Sequence, residues 1–389
     1  MKAEAGGKPT APMTRLLSVV ALLAVVGCKK SDNPPSNLKG GKTVGLVTDI
    51  GGRGDQSFND SALRGLETWA AGAKFSGGKY VPLNPAEVAG SVPEELKGRV
   101  EAVGIRPLVV QSKAQEDYQP NLGLLVDQGA DLVIGTGFML ENAVEAVAKA
   151  NPGSKFLLID SPILDAKGTP AALPNVRTVV FREEEGSFLA GALAGLVAKE
   201  KVGFIGGMEI PLIKKFEAGF RAGVKTTNPK AQVLATYTGS FDNVAAGKQV
   251  AQDLISKGVE ILFHAAGSDG LGAIQAVKEA RAAGKTVFAI GVDSDQAHLA
   301  PDAMLTSMVK RVDLAVFEAT KDIVDGKFTA GDRVMGLKEG GVSLAPVKLQ
   351  FDGKEQAMAR VAELRAQIIE EKLKVPSNLA ELESFSPPN

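Results

Sequence analysis

The sequence predicts an α/β protein built on parallel sheets. Short apolar runs without polar alternation are typical of strands that a parallel sheet buries on both faces, and stretches with helical spacing separate them. The runs occupy residues 43–48, 131–134, 155–159, 176–181, 201–205, 261–264 and 286–292. Each run ends in small or acidic residues. Ligands of such sheets bind beyond the carboxyl ends of the strands, so the polar residues there are the candidates for function.

Composition excludes several classes of protein. The 389 residues are enough for two domains, and 44% hydrophobic with 23% charged residues is ordinary globular usage. A formal net charge of -1 gives no electrostatic attraction to nucleic acid. Two His and one Cys are too few for a His-rich metal site, a zinc cluster or a Cys-His nucleophile pair. Composition therefore disfavours a nucleic-acid partner and excludes much hydrolytic chemistry. From the sequence as a whole we expect no metal, no cofactor and no catalytic residue.

The N-terminus is predicted to direct export. Basic residues precede an apolar run over residues 16–27, which is too short to span a bilayer and fits a signal peptide covering residues 1–27. The run stops at Cys28 in a context that resembles a bacterial lipobox, so Cys28 is predicted to carry a lipid. A buried, inert cysteine is the competing interpretation, and translation starting at Met13 instead of Met1 would leave the mature protein unchanged. Polar, Pro-rich residues 28–41 are predicted to form a flexible tether.

The strand and helix pattern changes between residues 160 and 201, where a loop precedes a strand at residues 176–181 and a helix from about residue 183. We predict that the chain passes from one lobe to another here. The predicted first lobe comprises residues 42–170 with 311–340, and the second comprises residues 171–310 with 341–389. Residues 75–106 are punctuated by Gly and Pro and are predicted to be a surface connection of unknown role.

Four chemically different side chains follow the first strand: Asp49, Ser57, Phe58 and Asn59. An aromatic ring beside a carboxylate, a hydroxyl and an amide could bind a flat heterocycle, with the ring stacked on its face and the polar groups on its edge. The competing interpretation makes Phe58 a core residue and Asp49 and Asn59 helix or turn caps.

Later strand ends supply matching groups. Phe138 follows a Gly-Thr-Gly turn, Phe241 follows Gly-Ser, and Gly267 lies in a tight turn whose backbone N–H groups could bind a polar group. Asp293 could accept hydrogen bonds from the two hydroxyls of a sugar diol. The acidic residues 183–185 could serve acid/base chemistry, but we interpret them as first-turn residues favoured by a helix dipole. His264 and His298 are interpreted as structural or surface residues.

Ordered sequence blocks from residue 42 to residue 346 resemble the basic membrane protein family of lipoproteins, the substrate-binding subunits of ABC importers. The blocks are Thr48-Asp49 with Asp55 and Ser57-Phe58-Asn59, Gly135-Thr136-Gly137-Phe138, residues 185–191, residues 203–208, Ala265-Ala266-Gly267, residues 291–296 and residues 306–310. The resemblance implies a type I periplasmic-binding-protein fold, in which two Rossmann-like lobes are joined by a multi-strand hinge. It also implies site roles: a base between Phe58 and Phe241, ribose hydroxyls on Asp293, and polar contacts from Asp49, Asn59, Lys310 and the Gly267 backbone.

The resemblance implies a lipid-anchored, extracytoplasmic receptor that binds a nucleoside and delivers it to an ABC permease in the membrane. A purine nucleoside is the favoured ligand. We expect a monomer. Two alternatives remain open at this point. One is a sensor lipoprotein with the same lobes and a signalling partner. The other is a nucleoside hydrolase that holds a metal with Asp49, Asp55 and Asp60.

Overall fold

Strands and helices alternate along the part of the chain that the computed structural model describes, which is residue 38, residues 41–165 and residues 167–387. The strands are β1 (Thr43–Val47), β2 (Ala73–Ser76), β3 (Lys79–Pro82), β4 (Arg106–Val110), β5 (Leu132–Thr136), β6 (Phe156–Ile159), β7 (Val176–Phe181), β8 (Lys201–Gly206), β9 (Gln232–Tyr237), β10 (Ile261–Ala265), β11 (Phe288–Asp293), β12 (Met304–Lys310), β13 (Gly331–Met335) and β14 (Val342–Leu344). The helices are α1 (Phe58–Leu63), α2 (Pro85–Ser91), α3 (Tyr118–Asp127), α4 (Glu141–Ala150), α5 (Glu183–Val197), α6 (Pro211–Thr227), α7 (Val244–Ser256), α8 (Asp269–Ala282), α9 (Val312–Val324), α10 (Lys354–Ile369) and α11 (Leu379–Ser384), and a π-helical segment, Arg64–Ala70, continues α1. The predicted signal peptide, Cys28 and most of the predicted tether lie outside the described residues. None of the described helices has both the length and the apolar composition needed to cross a bilayer.

Two six-stranded sheets form the frame. The first has the order β13-β7-β6-β5-β1-β4 and the second the order β14-β12-β11-β10-β8-β9. All neighbours in these two sheets pair in parallel except β12 and β14, which are antiparallel. The central strands β1, β5, β6, β10 and β12 are buried along their whole length, which explains the apolar runs predicted at β1, β5, β6 and β10. Strand β12 contains Thr306, Ser307 and Lys310 and was not among the predicted runs. The α/β prediction is confirmed.

Within the described residues the chain passes between the two sheets three times, after β7, after β12 and after β13. Strand β7 pairs with β6 and β13 of the first sheet, so the predicted lobe boundary between residues 170 and 171 is wrong at this strand. The apolar run of β7 continues the parallel sheet beside β6, and the crossing follows Phe181. Helix α5 then packs on β12 and β14 of the second sheet, whereas α9 packs on β5 and β6 of the first.

Residues 75–106 form more than the predicted surface connection. Strands β2 and β3 make an antiparallel hairpin in which Phe75 pairs with Tyr80. Asn84 caps α2 with a reciprocal capping box, and β4 follows as an edge strand of the first sheet. Tyr80, Val92 and Leu96 are buried, so the segment packs onto the first lobe.

Helices α5 and α6 cross with their backbones in contact. A Cβ atom on Gly191 would lie 2.0 Å from the carbonyl oxygen of Phe220, and one on Gly223 would lie 2.0 Å from that of Phe188. Only glycine permits this approach. The crossing brings Lys215 of α6 within 2.5 Å of Glu183 at the start of α5.

Two carboxylates at strand ends have an unusual backbone conformation. Asp160 directly follows β6 with φ +76°, and Asp293 ends β11 with φ +63°. Positive φ is uncommon outside glycine and recurs at ligand sites, where the surrounding structure maintains it. One such carboxylate therefore stands at the carboxyl edge of each sheet.

Candidate ligand-binding site

A cavity of about 60 Å³ lies between the carboxyl edges of the two sheets. Eight of the nine residues predicted for the site line it: Asp49, Phe58, Asn59, Phe138, Phe241, Gly267, Asp293 and Lys310. The ninth, Ser57, is buried and bonded to Asp293. The structure thus brings together residues that are up to 261 positions apart, from Asp49 to Lys310.

The loop after β1 is organised by its own carboxylates. Asp55 accepts backbone N–H bonds from Ser57, Asn59 and Asp60, which satisfies the first turn of α1. Asp49 Oδ1 accepts from the Gly51 N–H at 2.8 Å and from Asn59 Nδ2 at 2.7 Å. The two interpretations of this stretch are therefore compatible, since Asp49 and Asn59 order the turn and also face the cavity.

Burial raises the pKa of Asp49 to about 6, and the neighbouring carboxylate of Asp55 adds to the rise although the Asn59 hydrogen bond opposes it. The side chain of Asp49 is therefore partly protonated near neutral pH. It can both accept and donate a hydrogen bond there, which suits the edge of a heterocycle that carries donors and acceptors.

Aromatic rings from both lobes enclose the cavity. Phe58 and Phe138 come from the first lobe, and Phe216 and Phe241 from the second. The rings of Phe138 and Phe241 meet edge to face, with centroids 6.3 Å apart and planes at 70°. A larger hollow of about 720 Å³ adjoins the cavity and shares Phe138, Asp160 and Leu212 with it. Ligand pockets usually measure about 300–1,000 Å³, so the cavity is too small for a molecule of nucleoside size in this arrangement of the lobes.

Asp293 joins the lobes. Ser57 Oγ of the first lobe donates to Asp293 Oδ2 at 2.5 Å, and Asp293 is 6% exposed. Burial raises its pKa to about 7, although nearby Lys310 and the Ser57 hydrogen bond lower it in part. The structure therefore holds a carboxylate that is only half ionised near neutral pH.

Three further hydrogen bonds cross between the same two loops. Gln296 Nε2 donates to the Gln56 carbonyl oxygen at 3.1 Å, and His298 Nε2 lies 2.8 Å from Gln56 Oε1. Ser294 Oγ donates to the Ser57 carbonyl oxygen at 3.4 Å. Gln56 itself has φ +50°, so these contacts hold a strained residue just before α1.

Lys310 is the centre of a buried ion network at the hinge. Its Nζ lies 2.5 Å from Asp160 Oδ1 and 3.0 Å from Glu183 Oε1, and Glu183 also meets Lys215. Burial alone would lower the pKa of Lys310, but the carboxylates around it outweigh burial and hold the pKa above its ordinary value. Lys310 is therefore a permanent cation beside the cavity.

The Lys310 ammonium also faces three aromatic rings. Its distances to the ring centroids of Phe58, Phe181 and Phe216 are 5.3, 5.1 and 5.6 Å. Such cation–π contacts favour the charged form and fix the ring positions. Lys310 thus couples the ring that is predicted to stack on a base to the hinge.

Sequence reasoning did not assign several residues to this site, and Asp160, Glu183 and Phe216 are the most informative of them. Asp160 stands at a strand end, so its position was a usable signal. Glu183 is indeed on the first turn of α5, as interpreted, but its ion pairs with Lys215 and Lys310 depend on the tertiary fold. Phe216 lies on an ordinary apolar face of α6, which gives no local signal.

The two histidines have no catalytic setting. His264 is buried in β10, its Nε2 lies 3.1 Å from Gln296 Oε1, and burial lowers its pKa to about 4. His298 lies in a short 3-10 turn at the surface. Over residues 41–165 and 167–387, no group of three or more His, Cys, Asp or Glu could hold a metal ion. The hydrolase alternative has no support here, because Asp49, Asp55 and Asp60 accept backbone hydrogen bonds of their own loop.

Comparison with known proteins covers both lobes. The family model described as ABC transporter substrate-binding protein PnrA-like matches residues 42–379. The CD4+ T-cell-stimulating antigen of Listeria monocytogenes serovar 1/2a is 34% identical over 379 residues, covering 94% of this chain and 97% of that protein. The ABC transporter nucleoside-binding protein BmpA of Lactococcus lactis subsp. cremoris is 33% identical over 377 residues, covering 93% of this chain and 96% of that protein.

Among solved structures, a solute-binding protein of an ABC transporter system from Aeropyrum pernix K1 matches with a TM-score of 0.72. The two are 27% identical, and the match covers 88% of this chain and 96% of that one. The predicted fold, two α/β lobes of the periplasmic-binding-protein type, is confirmed by this match.

Proposed function

The chain belongs to the family of PnrA-like ABC transporter substrate-binding proteins, and from this premise we propose that it binds a nucleoside, a purine nucleoside foremost, between its two lobes. One observation carries the proposal: aromatic rings from both lobes, the buried carboxylate of Asp293 and the buried ammonium of Lys310 line a single cavity. A related protein, 33% identical, is named as nucleoside-binding.

The chemistry of the cavity matches the two halves of a nucleoside. Phe58 and Phe241 offer apolar faces to a base, and Asp49 and Asn59 offer donors and acceptors to its edge. Asp293 in its ionised form accepts hydrogen bonds from two vicinal hydroxyls of a ribose. In this arrangement the ligand hydroxyls replace the Ser57 hydroxyl on Asp293 or join it.

Binding is coupled to closure of the lobes. A ligand that contacts Phe58 of the first lobe and Asp293 of the second stabilises the closed arrangement more than any open one. The hydrogen bonds of Gln56 with Gln296 and His298 also join the two lobes, because they link the loop after β1 to the loop after β11. Closure then provides the shape that a permease recognises.

The proposal includes the cellular setting. We infer that Cys28, outside the described residues, carries a lipid after removal of the signal peptide. The protein then works outside the cytoplasm as a monomer that delivers its ligand to an ABC permease. Membership of a substrate-binding family supports this setting.

The function is tested on the body of the protein beginning after Cys28. Small molecules extracted from the purified protein are identified by mass spectrometry, and a panel of nucleosides, free bases and ribose is then titrated calorimetrically. We expect tight binding of at least one purine nucleoside and much weaker binding of its separate base or ribose, because each fragment contacts only part of the cavity. Binding of none of the nucleosides would contradict the proposal.

The affinity for a ribonucleoside is expected to fall as the pH falls. The pKa of Asp293 is about 7 in the unliganded protein, and the ribose hydroxyls favour the ionised carboxylate, so binding releases a proton at low pH. Below about pH 7 the dissociation constant should therefore rise up to about tenfold for each pH unit. Calorimetry in two buffers of different ionisation enthalpy measures the released proton. A dissociation constant that stays flat from about pH 8 to about pH 5.5 would contradict this.

A further inference from the structure

We propose that the β2–β3 hairpin braces the ligand loop through Arg53, and that this brace sets how fast ligand is captured. The inference rests on the proposed function, since it concerns the loop that presents Asp49, Phe58 and Asn59 to the cavity. Arg53 is at the crest of that loop, two residues from Gly51 and two from Asp55, both of which line the cavity.

The Arg53 side chain points away from the cavity to a buried acid. Its Nη1 donates to Glu67 Oε2 at 2.9 Å and its Nη2 donates to Glu67 Oε1 at 2.7 Å, which is the paired geometry that fixes a guanidinium in one orientation. Glu67 is 4% exposed and belongs to the π-helical segment Arg64–Ala70. π-Helical turns are rare in proteins, but those that occur are often at functional sites. In this one, Glu67 faces Arg53 of the loop after β1.

The hairpin completes the brace from the other side. Tyr80 Oη of β3 donates to Glu67 Oε1 at 2.7 Å, and the Arg53 guanidinium lies 4.6 Å from the ring centroid of Phe75 on β2. Phe75 and Tyr80 are paired across the hairpin with centroids 5.2 Å apart. Burial alone would lower the pKa of Arg53, but the Glu67 carboxylate outweighs burial and raises it, so the guanidinium stays charged.

The Arg53 ion pair affects ligand capture because few other contacts fix this part of the loop on the first lobe. Short-range bonds to Asp49, Asp55 and Asp60 order residues 51–57 internally. The bonds of Gln56 and Ser57 to other parts of the chain go to the second lobe, so they do not fix the loop on its own lobe. Arg53, by its side chain and by its N–H bond to Gln111 Oε1, ties the crest to the body of the lobe. Without the guanidinium, the loop spends less time in the arrangement that binds ligand. The apparent dissociation constant then rises in inverse proportion to that fraction.

The test compares Arg53→Ala with a matched control, Arg221→Ala. Arg221 pairs with the buried Glu217 at 2.7 Å, and both residues lie on α6. The side-chain exposures of Arg221 and Glu217 are 33% and 5%, against 28% and 6% for Arg53 and Glu67. Glu217 also accepts a hydrogen bond from Tyr237, as Glu67 does from Tyr80, but Arg221 is not part of a loop at the cavity. If about one molecule in ten keeps the competent loop, Arg53→Ala raises the dissociation constant about tenfold, mainly by slower association in stopped-flow measurements. We expect Arg221→Ala to lower the melting temperature about as much as Arg53→Ala does, but to leave the association rate unchanged. Arg53→Lys, which keeps the charge but lacks the planar fork, gives an intermediate rate.

A second readout needs no ligand. Hydrogen exchange of the backbone amides of residues 51–57 in the unliganded protein is expected to accelerate in Arg53→Ala and in Tyr80→Phe, and not in Arg221→Ala. Unchanged exchange together with an unchanged association rate would overturn the proposal and leave Arg53 a stabilising residue only. If the parent protein binds no nucleoside, the proposed function fails, and the exchange comparison still decides whether the hairpin braces the loop.

Discussion

Asp293→Asn is expected to weaken ribonucleoside binding by at least about a hundredfold. A hydrogen bond to a charged group contributes about 1.5–3 kcal/mol, and the ribose diol is expected to make two of them to the ionised carboxylate. Asparagine keeps the size of the side chain and tolerates the positive φ of +63°, so the backbone at the end of β11 is not forced to move. Calorimetric titration of the parent and the variant at about pH 8 measures the loss.

Asp295→Asn is the control for this change. It alters the same residue type two positions along, where the side chain is exposed and accepts from the Ala297 N–H. We expect its affinity to match that of the parent. An Asp293→Asn variant that binds as tightly as the parent would remove Asp293 from the site.

The same substitution is expected to leave the unliganded fold at least as stable at alkaline pH. The folded pKa of Asp293, about 7, lies above its ordinary value of 3.8 because of burial. A carboxyl with a raised folded pKa stabilises the fold below its unfolded pKa, and that contribution is lost as the pH rises through about 7. At about pH 8 the parent therefore holds an unfavourable buried charge that asparagine lacks. Loss of affinity without loss of stability would separate a ligand-binding role from a structural one.

Most central strands could be predicted from the sequence, but the central strand β12 and the edge strands could not. Strands such as β5 and β6 are buried along their whole length, and their sequences are mainly or wholly apolar. The edge strands β4, β9 and β13 are covered on fewer sides, and their sequences are mixed: β4 contains Pro107, β9 is half-buried, and three of the five residues of β13 are exposed. An edge strand is defined by its neighbour, which lies far away in the chain. Local patterning does not reveal it.

The residues of the candidate site also fall into two groups, those that local sequence predicts and those that only the tertiary fold brings together. Asp49, Phe138 and Asp293 were predicted because each follows a strand, and the carboxyl ends of parallel strands meet at one edge of a sheet. Glu183 was interpreted as a first-turn acid, which is correct for α5 but leaves out its two lysine partners. Those partners come from α6 and from the end of β12, and only the tertiary fold brings them together. The lobe boundary at β7 was missed for the same reason, since the pairing of β7 with β13 joins residues about 150 positions apart.

Lys310→Met is expected to lower the free energy of unfolding by about 3–5 kcal/mol near neutral pH, the loss usual when one partner of a buried ion pair is removed. Methionine suits this position sterically, because its flexible apolar chain fits among the rings of Phe58, Phe181 and Phe216. The destabilisation therefore comes from charge and not from an empty volume. Asp160 and Glu183 would remain in the interior without their shared cation.

The pH dependence of this loss identifies its origin. Burial raises the pKa of Asp160, whereas Lys310 and Lys215 together hold that of Glu183 below its ordinary value. Without Lys310, the folded pKa values of both carboxyls rise, so the fold loses stability as the pH rises through them and regains it as they become protonated. Chemical denaturation of Lys310→Met and of the parent should therefore differ most at about pH 8 and converge towards about pH 5. Lys257→Met, which removes an exposed lysine paired with Asp253, should cost less than about 1 kcal/mol at every pH. A deficit in Lys310→Met that does not change with pH would show instead that the lysine stabilises the hinge by packing.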